Sequence, residues 1–514
     1  MDAAAVDALG PALGTADAQR LLACRPPGHV TSRPGLTPRA CVSWFVWCIA
    51  FAERVRALAK AEWAVVVLGG GDAPDAALTA PRALCPTAWQ PCAVELQRQL
   101  ADTPHDAPAE PEPARFASCS QHHYALGAPL LLRSHGPGAL VALGSEAPRA
   151  WSAADGELLQ LARDLVEAVL AHPAIFATLP AAVAAPSADA LLAGLTDAQR
   201  ADVENVVDLL ERFRRQSWVQ DQWKAVGREA ARAKVARWVA AGEPVRLVLP
   251  AFPMKSPPCA DKVLGPLPDT GEVLALLTLD GFARKVERVY APGCRVLVVS
   301  DGRVFNDFFG IADDTVTEYT RALRRLAPPG GRLQFIGLDE LFASMPHAGK
   351  RHGVVALGAQ DLPAVTAKLA ADVHFRNVYV AFKRLLMRDL GEPRPLAALH
   401  AKQMMVRNDC YSDLVRLLFP HHLRLSIHDH SGADKIGVYL IGRCMITPWH
   451  GVALRHRDKT WSILRKHIVE AAGLPRRDLL DPANEDRYAD PELTEQMCAL
   501  AHQGGLASLP YFQE

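Results

Sequence analysis

Short, nearly continuous apolar runs form the clearest hydrophobic pattern in the chain, and they lie in its second half. Three of them are VRLVLPAF from residue 245, CRVLVVSDG from residue 294 and RLQFIG from residue 332. Runs of this length and composition predict strands that are buried on both faces. Helical periodicity separates them, with helices expected at residues 271–289 and from residue 312. This alternation predicts an α/β domain with a Rossmann-like, mostly parallel sheet.

A long stretch with helical periodicity precedes these strands, at residues 199–242. Its apolar residues recur at spacings of three and four, which indicates one long helix or two consecutive helices. Two tryptophans, Trp218 and Trp223, lie within it. We expect both indole rings to pack in the core.

The first half of the chain has a different pattern. WAVVVLGGG from residue 63 predicts a strand, and residues 125–170 predict two strands joined by the turn SHGPG and followed by a helix. A strand pair before a closing helix resembles the second half of a GAF domain. The resemblance implies an α+β GAF-like domain, and GAF domains often bind small ligands or form dimers. One expected role of this domain is therefore to form a homodimer.

An alanine- and proline-rich segment, HPAIFATLPAAVAAPSADALLAGL, separates the two halves of the chain. Its apolar residues show no clear helical or strand periodicity. We place the domain boundary there. The predicted organisation is an N-terminal extension at residues 1–35, a GAF-like domain at 36–172, a linker at 173–195 and a catalytic domain at 196–514.

Charge, apolar runs and cysteine content limit the partners and the cellular location that we expect for this chain. Lys plus Arg and Asp plus Glu number 56 each among the 514 residues, so no global field attracts nucleic acid or an acidic membrane. The longest apolar run, Ala40 to Ala52, is shorter than the roughly 20 residues of a membrane-spanning helix. The first 20 residues lack the pattern of a secretory signal. The 11 cysteines contain no C-x-x-C pair, which favours neither disulfides nor zinc. We expect a cytoplasmic protein.

The first predicted strand runs into a stiff, cationic loop. Prolines bracket Lys255 and Ser256, and Lys262 follows. Open α/β sheets bind ligands at the carboxyl ends of their strands, so such a loop indicates an anionic ligand. An exposed basic turn is the alternative interpretation.

The second predicted strand ends in SDGRVFND, which places Asp301 and Arg303 at the rim of the sheet and Asp307 shortly after. An aspartate that caps the next helix beside a solvated arginine is the alternative. No G-x-G-x-x-G follows a strand and no Walker motif is present, so neither a dinucleotide nor ATP is indicated.

A third segment combines LRLSIH, ending at His428, with KIG, beginning at Lys435, and is predicted to form a β-hairpin. Arg424 lies in the first of these strands, and His450 follows in the turn TPWH. With Asp429 and His430, the histidines could nominally hold iron. Adjacent strand residues point to opposite faces, however, so no metal site is expected.

Six motifs in this order, FPMKSP, KVLGPLPD, SDGRVFND, RLSIH, KIG and TPWH, resemble the isocyanide synthase family of the pyoverdine/dityrosine biosynthesis type. The resemblance covers about residues 195–460. Asp429 and His430 depart from it, since relatives usually have proline or a small residue after the S-I-H strand.

The resemblance implies that the α-amine of an L-amino acid condenses with ribulose 5-phosphate, without a cofactor, and becomes an isocyano group. The implied catalytic residues are Lys255, Asp301, Asp307, His428 and His450. The implied substrate-binding residues are Ser256, Lys262, Arg303, Arg424 and Lys435. A non-haem iron oxygenase and a GAF-linked phosphosugar-binding sensor are the alternatives.

Overall fold

The computed structural model describes five strands between residues 63 and 145, scattered residues between 160 and 175, and residues 187–514 except 219, 256–260, 359–360 and 485–489. These residues fall into two compact units. One unit comprises Ala188–Leu338, Gln360–Asp409 and His421–Glu514. The other comprises the preceding part of the chain together with Asp339–Ala359 and Cys410–Pro420.

The N-terminal strands form one antiparallel sheet with the order β2-β1-β5-β4-β3. The strands are β1 Trp63–Leu68, β2 Ala76–Pro81, β3 Pro113–Arg115, β4 Tyr124–Leu130 and β5 Ala139–Ser145. Strands β4 and β5 pair along their whole length, as the sequence predicts for this segment. Most of residues 36–172 lie outside the described residues, so the GAF-like assignment stays a prediction.

A five-stranded parallel sheet forms the centre of the unit that contains the predicted catalytic residues. Its strands are β6 Val245–Pro250, β7 Cys294–Ser300, β8 Leu333–Gly337, β9 Leu423–Ser426 and β10 Lys435–Gly437. The order is β10-β9-β6-β7-β8, and every neighbouring pair is parallel. The sheet confirms the predicted α/β class and parallel pairing.

This strand order contains a topological switch point. The chain starts in the middle of the sheet at β6, moves outward through β7 and β8, and then returns to the other side of β6 as β9. The connections after β6 and β9 therefore leave the sheet in opposite directions. Such a point opens a crevice at the carboxyl ends of the strands, where ligands of open α/β sheets bind.

The predicted hairpin of β9 and β10 is wrong. The two strands pair in parallel, with Lys435 opposite Arg424. Residues 427–434 lead the chain back to the level at which β9 begins, whereas a hairpin needs a tight turn at the end of the first strand. Lys435 therefore lies beside the middle of β9 and not beside its end.

Helices form most of the remaining structure of the described residues. They are α1 Ala188–Gly194, α2 Asp197–Phe213, α3 Arg228–Ala241, α4 Thr270–Glu287, α5 Gly302–Phe305, α6 Asp313–Arg325, α7 Leu338–Leu341, α8 His347–Gly358, α9 Leu362–Ala371, α10 Val373–Asp389, α11 Arg394–Leu418, α12 Lys466–Ala471 and α13 Pro491–Gly504. Helices α4 and α6 confirm the two that the sequence predicts between the strands. Within the described part of the chain, no helix is both long and apolar enough to cross a membrane.

The long helical stretch divides into α2 and α3, joined by an irregular segment and a π-helical turn, Trp223–Gly227. Trp223 is fully buried, as predicted. The prediction for Trp218 is wrong, because 75% of its surface is exposed. Trp218 lies in the irregular segment and not on the apolar face of a helix, so helical periodicity does not govern its burial.

A second sheet follows the parallel one in sequence. It contains β11 Val452–Arg455, β12 Trp461–Leu464, β13 Arg476–Asp478 and β14 Pro510–Gln513, in the order β12-β11-β14-β13. Strands β11 and β14 are parallel, and the other pairs are antiparallel. The turn Pro448–His450 leads directly into β11, which fixes the position of the predicted residue His450.

Candidate active site

The loop after β6 bends sharply at Phe252, whose φ of 58° is rare for a bulky residue. Its ring packs 5.2 Å from that of Trp449, and its carbonyl oxygen accepts a hydrogen bond from Ser300 Oγ at 3.1 Å. A Cβ at Gly302 would lie 1.9 Å from the carbonyl oxygen of Pro253, so only glycine allows this approach. The loop is thus held against the end of β7. Such a strained backbone has no sequence signal, and the surrounding contacts must maintain it.

Lys255 follows this bend and is completely buried. Its Nζ lies 2.9 Å from Asp269 Oδ2 and 2.8 Å from Glu272 Oε2, and it donates a hydrogen bond to the Pro448 carbonyl oxygen at 3.0 Å. Burial lowers the pKa of Lys255, but the two carboxylates raise it further, so the net pKa lies above its usual value. Three acceptors occupy the ammonium group, and Lys255 connects the loop to the start of α4 and to the turn before β11.

Asp269 and Glu272 are site residues that the sequence analysis missed. Asp269 caps α4, with Oδ1 accepting from the Gly271 N–H at 2.9 Å, and Glu272 Oε2 accepts from the Asp269 N–H at 3.0 Å. The spacing D-x-x-E before a helix is the signature of a capping box and could have located both residues. It could not have predicted that both also bind Lys255.

Tyr319 completes this buried group from α6. Its hydroxyl donates to Glu272 Oε1 at 3.1 Å. Burial raises the pKa of Glu272, and the nearby Asp269 adds to this effect while the Lys255 cation opposes it. The Tyr319 pKa is also raised, mainly by burial and by Glu272, with a contribution from Asp301. Asp301 therefore lies within electrostatic range of this group.

Two of the predicted substrate-binding cations, Lys262 and Arg303, are also paired with carboxylates. Lys262 is 2% exposed and contacts Asp389 on α10. Arg303 donates from Nη1 to Asp313 Oδ1 at 3.0 Å and from Nη2 to the Thr317 hydroxyl. Ser256, another predicted substrate-binding residue, lies outside the described residues.

Asp307 lies in the short 3₁₀ turn after α5, and its side chain is 38% exposed. Its Oδ1 accepts from Arg407 Nη1 at 2.6 Å, and the same guanidinium stacks over the Phe308 ring at 4.4 Å. This pair connects the turn to α11.

Asp301 is the predicted residue that is best placed for proton transfer. It directly follows β7, and its Oδ1 is buried without a hydrogen-bond partner in the described part of the chain. Burial raises the pKa of Asp301 from 3.8 to about 7. A carboxyl group with this pKa can both donate and accept a proton near neutral pH.

The two predicted histidines remain neutral at the same pH. Burial lowers the pKa of His428 to about 4, helped by the Lys435 and Arg215 cations. Burial lowers the pKa of His450 to about 3, helped first by Lys262 and then by His428 and Lys255. Neutral imidazoles can donate or accept hydrogen bonds, but they are not strong acids. The structure brings His450 within electrostatic range of both the Lys255 loop and His428.

Arg424 and Lys435 lie side by side on the neighbouring strands β9 and β10. Arg424 is buried and pairs with Asp434 at 2.8 Å. Burial lowers the pKa of Lys435 to about 8, and Arg424 adds to this shift while Asp434 opposes it. Among residues that the structure describes, no group of three or more His, Cys, Asp or Glu side chains is arranged to hold a metal ion.

The site thus combines a buried carboxyl group, neutral histidines and paired cations at the switch point of a parallel α/β sheet. A family model described as "Pyoverdine/dityrosine biosynthesis protein" matches residues 235–475, a segment that contains all ten predicted site residues. The relatives described below match about half of this chain. The chain belongs to the pyoverdine/dityrosine biosynthesis protein family.

Three relatives show the extent of this similarity. The L-tryptophan isonitrile synthase AmbI2 of Fischerella ambigua is 30% identical over 47% of this chain and 76% of its own length. The L-tyrosine isonitrile synthase of Pseudomonas aeruginosa is 32% identical over 47% of this chain and 78% of its own length. The spore wall maturation protein DIT1 of Saccharomyces cerevisiae is 30% identical over 52% of this chain and 62% of its own length.

A solved structure is also similar. The crystal structure of the PvcA protein from Pseudomonas aeruginosa has 27% sequence identity and a TM-score of 0.49, and the match covers 54% of this chain and 96% of that one.

Proposed function

We propose that this chain is an isocyanide synthase, which condenses the α-amine of an L-amino acid with the C2 ketone of ribulose 5-phosphate. The amine would attack the ketone carbon, and water would leave to give an imine. The C1–C2 and C2–C3 bonds would then break: one fragment leaves as an aldehyde and gives its bond electrons to C2, and the other leaves with its bond electrons and takes up the proton that the first releases. C2 would remain as the isocyano carbon. Family membership supports the proposal, because relatives are named as isonitrile synthases for tryptophan and tyrosine. The aromatic amino acids are therefore the first substrates to test.

The buried carboxyl group of Asp301 is the observation that supports this chemistry most directly. Attack by an amine requires loss of a proton from nitrogen, and departure of water requires a proton on oxygen. One carboxyl group with a pKa of about 7 can perform both transfers in turn. Its Oδ1 has no hydrogen-bond partner in the described part of the chain, so it is available to a substrate.

His428 and His450 have a different role in the proposed reaction. Their pKa values of about 4 and about 3 keep both rings neutral at physiological pH. We assign them to hydrogen bonds with the substrate and not to proton donation as imidazolium. The Lys255 ammonium, occupied by three acceptors, positions the loop and the turn that bears His450.

Several finer features belong to the same proposal. The reaction uses acid, base and cationic groups and needs neither a cofactor nor a metal ion. Residues 36–172 form a GAF-like domain that can dimerise, an assignment supported by the antiparallel sheet and its adjacent strand pair β4 and β5. We infer a cytoplasmic location, and the balanced charge supports the absence of a nucleic-acid or membrane partner.

The test is a product assay with the full chain. Purified protein is incubated with ribulose 5-phosphate and the twenty amino acids, any isonitrile is trapped with a tetrazine, and adduct masses are measured. We expect one adduct that requires ribulose 5-phosphate, survives treatment with a chelator and disappears in Asp301→Asn. A parallel reaction without the sugar phosphate is the control.

Two outcomes would contradict the proposal. If folded protein gives no adduct with any amino acid, the chain is not an isocyanide synthase. If the adduct forms but is lost on chelation and restored by iron, the metal-independent mechanism is wrong.

A further inference from the structure

A second polar cluster lies beside β9 and β10, outside the group around Lys255. It contains His374 from the first turn of α10, Asp429 and His430 from the loop after β9, and Lys435 from β10. The rings of His374 and His430 stack with centroids 6.4 Å apart. The departure of residues 429 and 430 from the family pattern therefore coincides with a real spatial cluster.

Within this cluster, the ring nitrogens of His374 give the strongest indication of a bound ligand. It is only 6% exposed, and neither ring nitrogen has a hydrogen-bond partner in the described part of the chain. Its Nδ1 lies 3.6 Å from Asp429 Oδ2, which is beyond hydrogen-bond distance. A buried polar group without a partner costs free energy, and a bound ligand with an acceptor atom would recover it.

Asp429 offers a hydrogen-bond acceptor that complements the His374 ring. Its Oδ2 accepts from the Ser217 hydroxyl at 3.1 Å, whereas its Oδ1 is buried, has no hydrogen bond from any residue that the structure describes, and lies 4.0 Å from Arg215 Nε. The cluster therefore offers an N–H donor at His374 and an acceptor at Asp429. A ligand with an anionic group next to an ammonium or amine group satisfies both.

The charge balance selects the kind of anion. The cations Arg215, Arg424 and Lys435 are accompanied by two carboxylates, Asp429 and Asp434, so one positive charge is in excess. Burial is the main cause that lowers the pKa of Lys435 to about 8; the Arg424 and Lys368 cations add to this shift, and Asp434 and Asp409 oppose it. One excess charge matches a carboxylate better than a phosphate dianion.

We propose that His374, His430 and Lys435 bind the α-carboxylate of the amino-acid substrate, with Asp429 facing its amine. This inference rests on the proposed function and places one of its two substrates. His428 connects this subsite to His450, because it lies within electrostatic range of both His430 and His450. The carboxylate would thus be held beside β10 while the amine points towards the switch point.

The first test measures binding without catalysis. Thermal unfolding of the full chain is followed with L-tyrosine or L-tryptophan and with tyramine or tryptamine, which lack the carboxylate, in the presence and absence of ribulose 5-phosphate. We expect the amino acid to raise Tm more than its amine, and we expect Lys435→Gln and His374→Phe to abolish that difference. Phenylalanine keeps a flat aromatic ring at this position, somewhat larger than imidazole, but has no ring nitrogens.

The second test measures kinetics. We expect Lys435→Gln to raise KM for the amino acid about 10- to 100-fold, the usual contribution of a hydrogen bond to a charged group, and to leave KM for ribulose 5-phosphate nearly unchanged. Lys285→Gln is the matched control, because Lys285 is exposed in the last turn of α4. An equal effect of this control would attribute the change to overall charge and overturn the subsite.

The outcomes separate this inference from the proposed function. If isonitrile forms but both variants keep the wild-type KM for the amino acid, the subsite is wrong and the synthase proposal stands. If no isonitrile forms but the carboxylate-dependent Tm shift appears and is lost in both variants, the subsite stands and the synthase proposal fails. If inorganic phosphate stabilises wild type but not Lys435→Gln, or if no amino acid raises Tm, the carboxylate assignment is overturned.

Discussion

The two sides of the switch point hold their polar groups in different ways. Near β6 and β7, the cations Lys255, Lys262 and Arg303 each contact a carboxylate of the protein. Near β9 and β10, the ring of His374 is buried without a hydrogen bond in the described part of the chain. Each side also has a residue that differs from this pattern. Asp301 on the first side has an Oδ1 without a hydrogen-bond partner among the described residues, and Arg424 on the second side pairs with Asp434.

This difference distinguishes side chains that position the site from side chains that bind substrate. A buried cation that already has carboxylate partners gains little from an anionic ligand, and separating the pair leaves an uncompensated charge. A buried polar atom without a partner has the opposite balance, since a ligand removes a cost that the folded protein otherwise retains. We therefore assign the cations around β6 to the architecture of the site and the unpartnered atoms to substrate contact.

The largest expected effect is on catalysis. Asp301→Asn keeps the size of the side chain and removes its ability to exchange a proton, so we expect kcat to fall about 10²- to 10⁴-fold. Near pH 4, where Asp301 is still protonated, the variant should keep the wild-type Tm to within a few degrees, because Oδ1 makes no hydrogen bond to the described residues. Isonitrile formation and thermal unfolding measure the two quantities. Near-normal kcat would remove Asp301 from the chemistry.

A large effect on stability is expected at Lys255. Lys255→Met leaves Asp269 and Glu272 buried together without their cation, and breaking a buried ion pair in this way costs about 3–5 kcal/mol. Urea unfolding should show this loss, and the double variant Lys255→Met/Glu272→Gln should recover part of it. Lys285→Met, at an exposed position, is the control. A stable but inactive Lys255→Met protein would instead mean that Lys255 contacts substrate.

The pH dependence of stability gives a smaller and more specific test. Burial raises the pKa of Asp301 from 3.8 to about 7, so between these values the folded protein holds a proton that the unfolded chain has lost. The stabilisation is complete below about pH 4 and declines as the pH rises towards 7. The free energy of unfolding of wild type, relative to Asp301→Asn, should therefore fall over this range. A relative stability that rises with pH would contradict the assignment.

The smallest effect is expected at Asp307. Its carboxylate is 38% exposed and pairs with Arg407, and pairs of this kind contribute about 0–1 kcal/mol. Asp307→Asn should reduce stability by no more than this and leave kcat nearly unchanged. The substitution is chemically the same as in Asp301→Asn, so the two variants form a matched pair. Equal losses of activity would show that burial and pairing do not distinguish the two aspartates.

Three of the candidate site residues lie at strand ends that the sequence predicted. Lys255, Asp301 and His428 follow β6, β7 and β9, as the apolar runs indicated, because the end of a buried strand is a local property of the chain. The strand direction of β10 was not predictable in this way. A short polar segment between two apolar runs is compatible with either a turn or a return path, and here the parallel pairing decides the position of Lys435.

The ion pairing and the pKa of each charged group were even harder to predict from the sequence. Lys262 and Asp389 are 127 residues apart, and His374 meets Asp429 only because α10 begins beside the loop after β9. Burial and ion pairing between such residues determine the pKa and the availability of each group. No local pattern could have indicated which predicted cation is neutralised by the protein itself.

By itself, the sequence determined the alternation of strands and helices and the polar residues at the strand ends, since both depend on the periodicity of neighbouring residues. The tertiary structure decided the strand order, the strained bend at Phe252 and the division between paired and unpaired polar atoms. These features depend on contacts between segments far apart in the chain, and those contacts exist only after the sheet and its helices have packed.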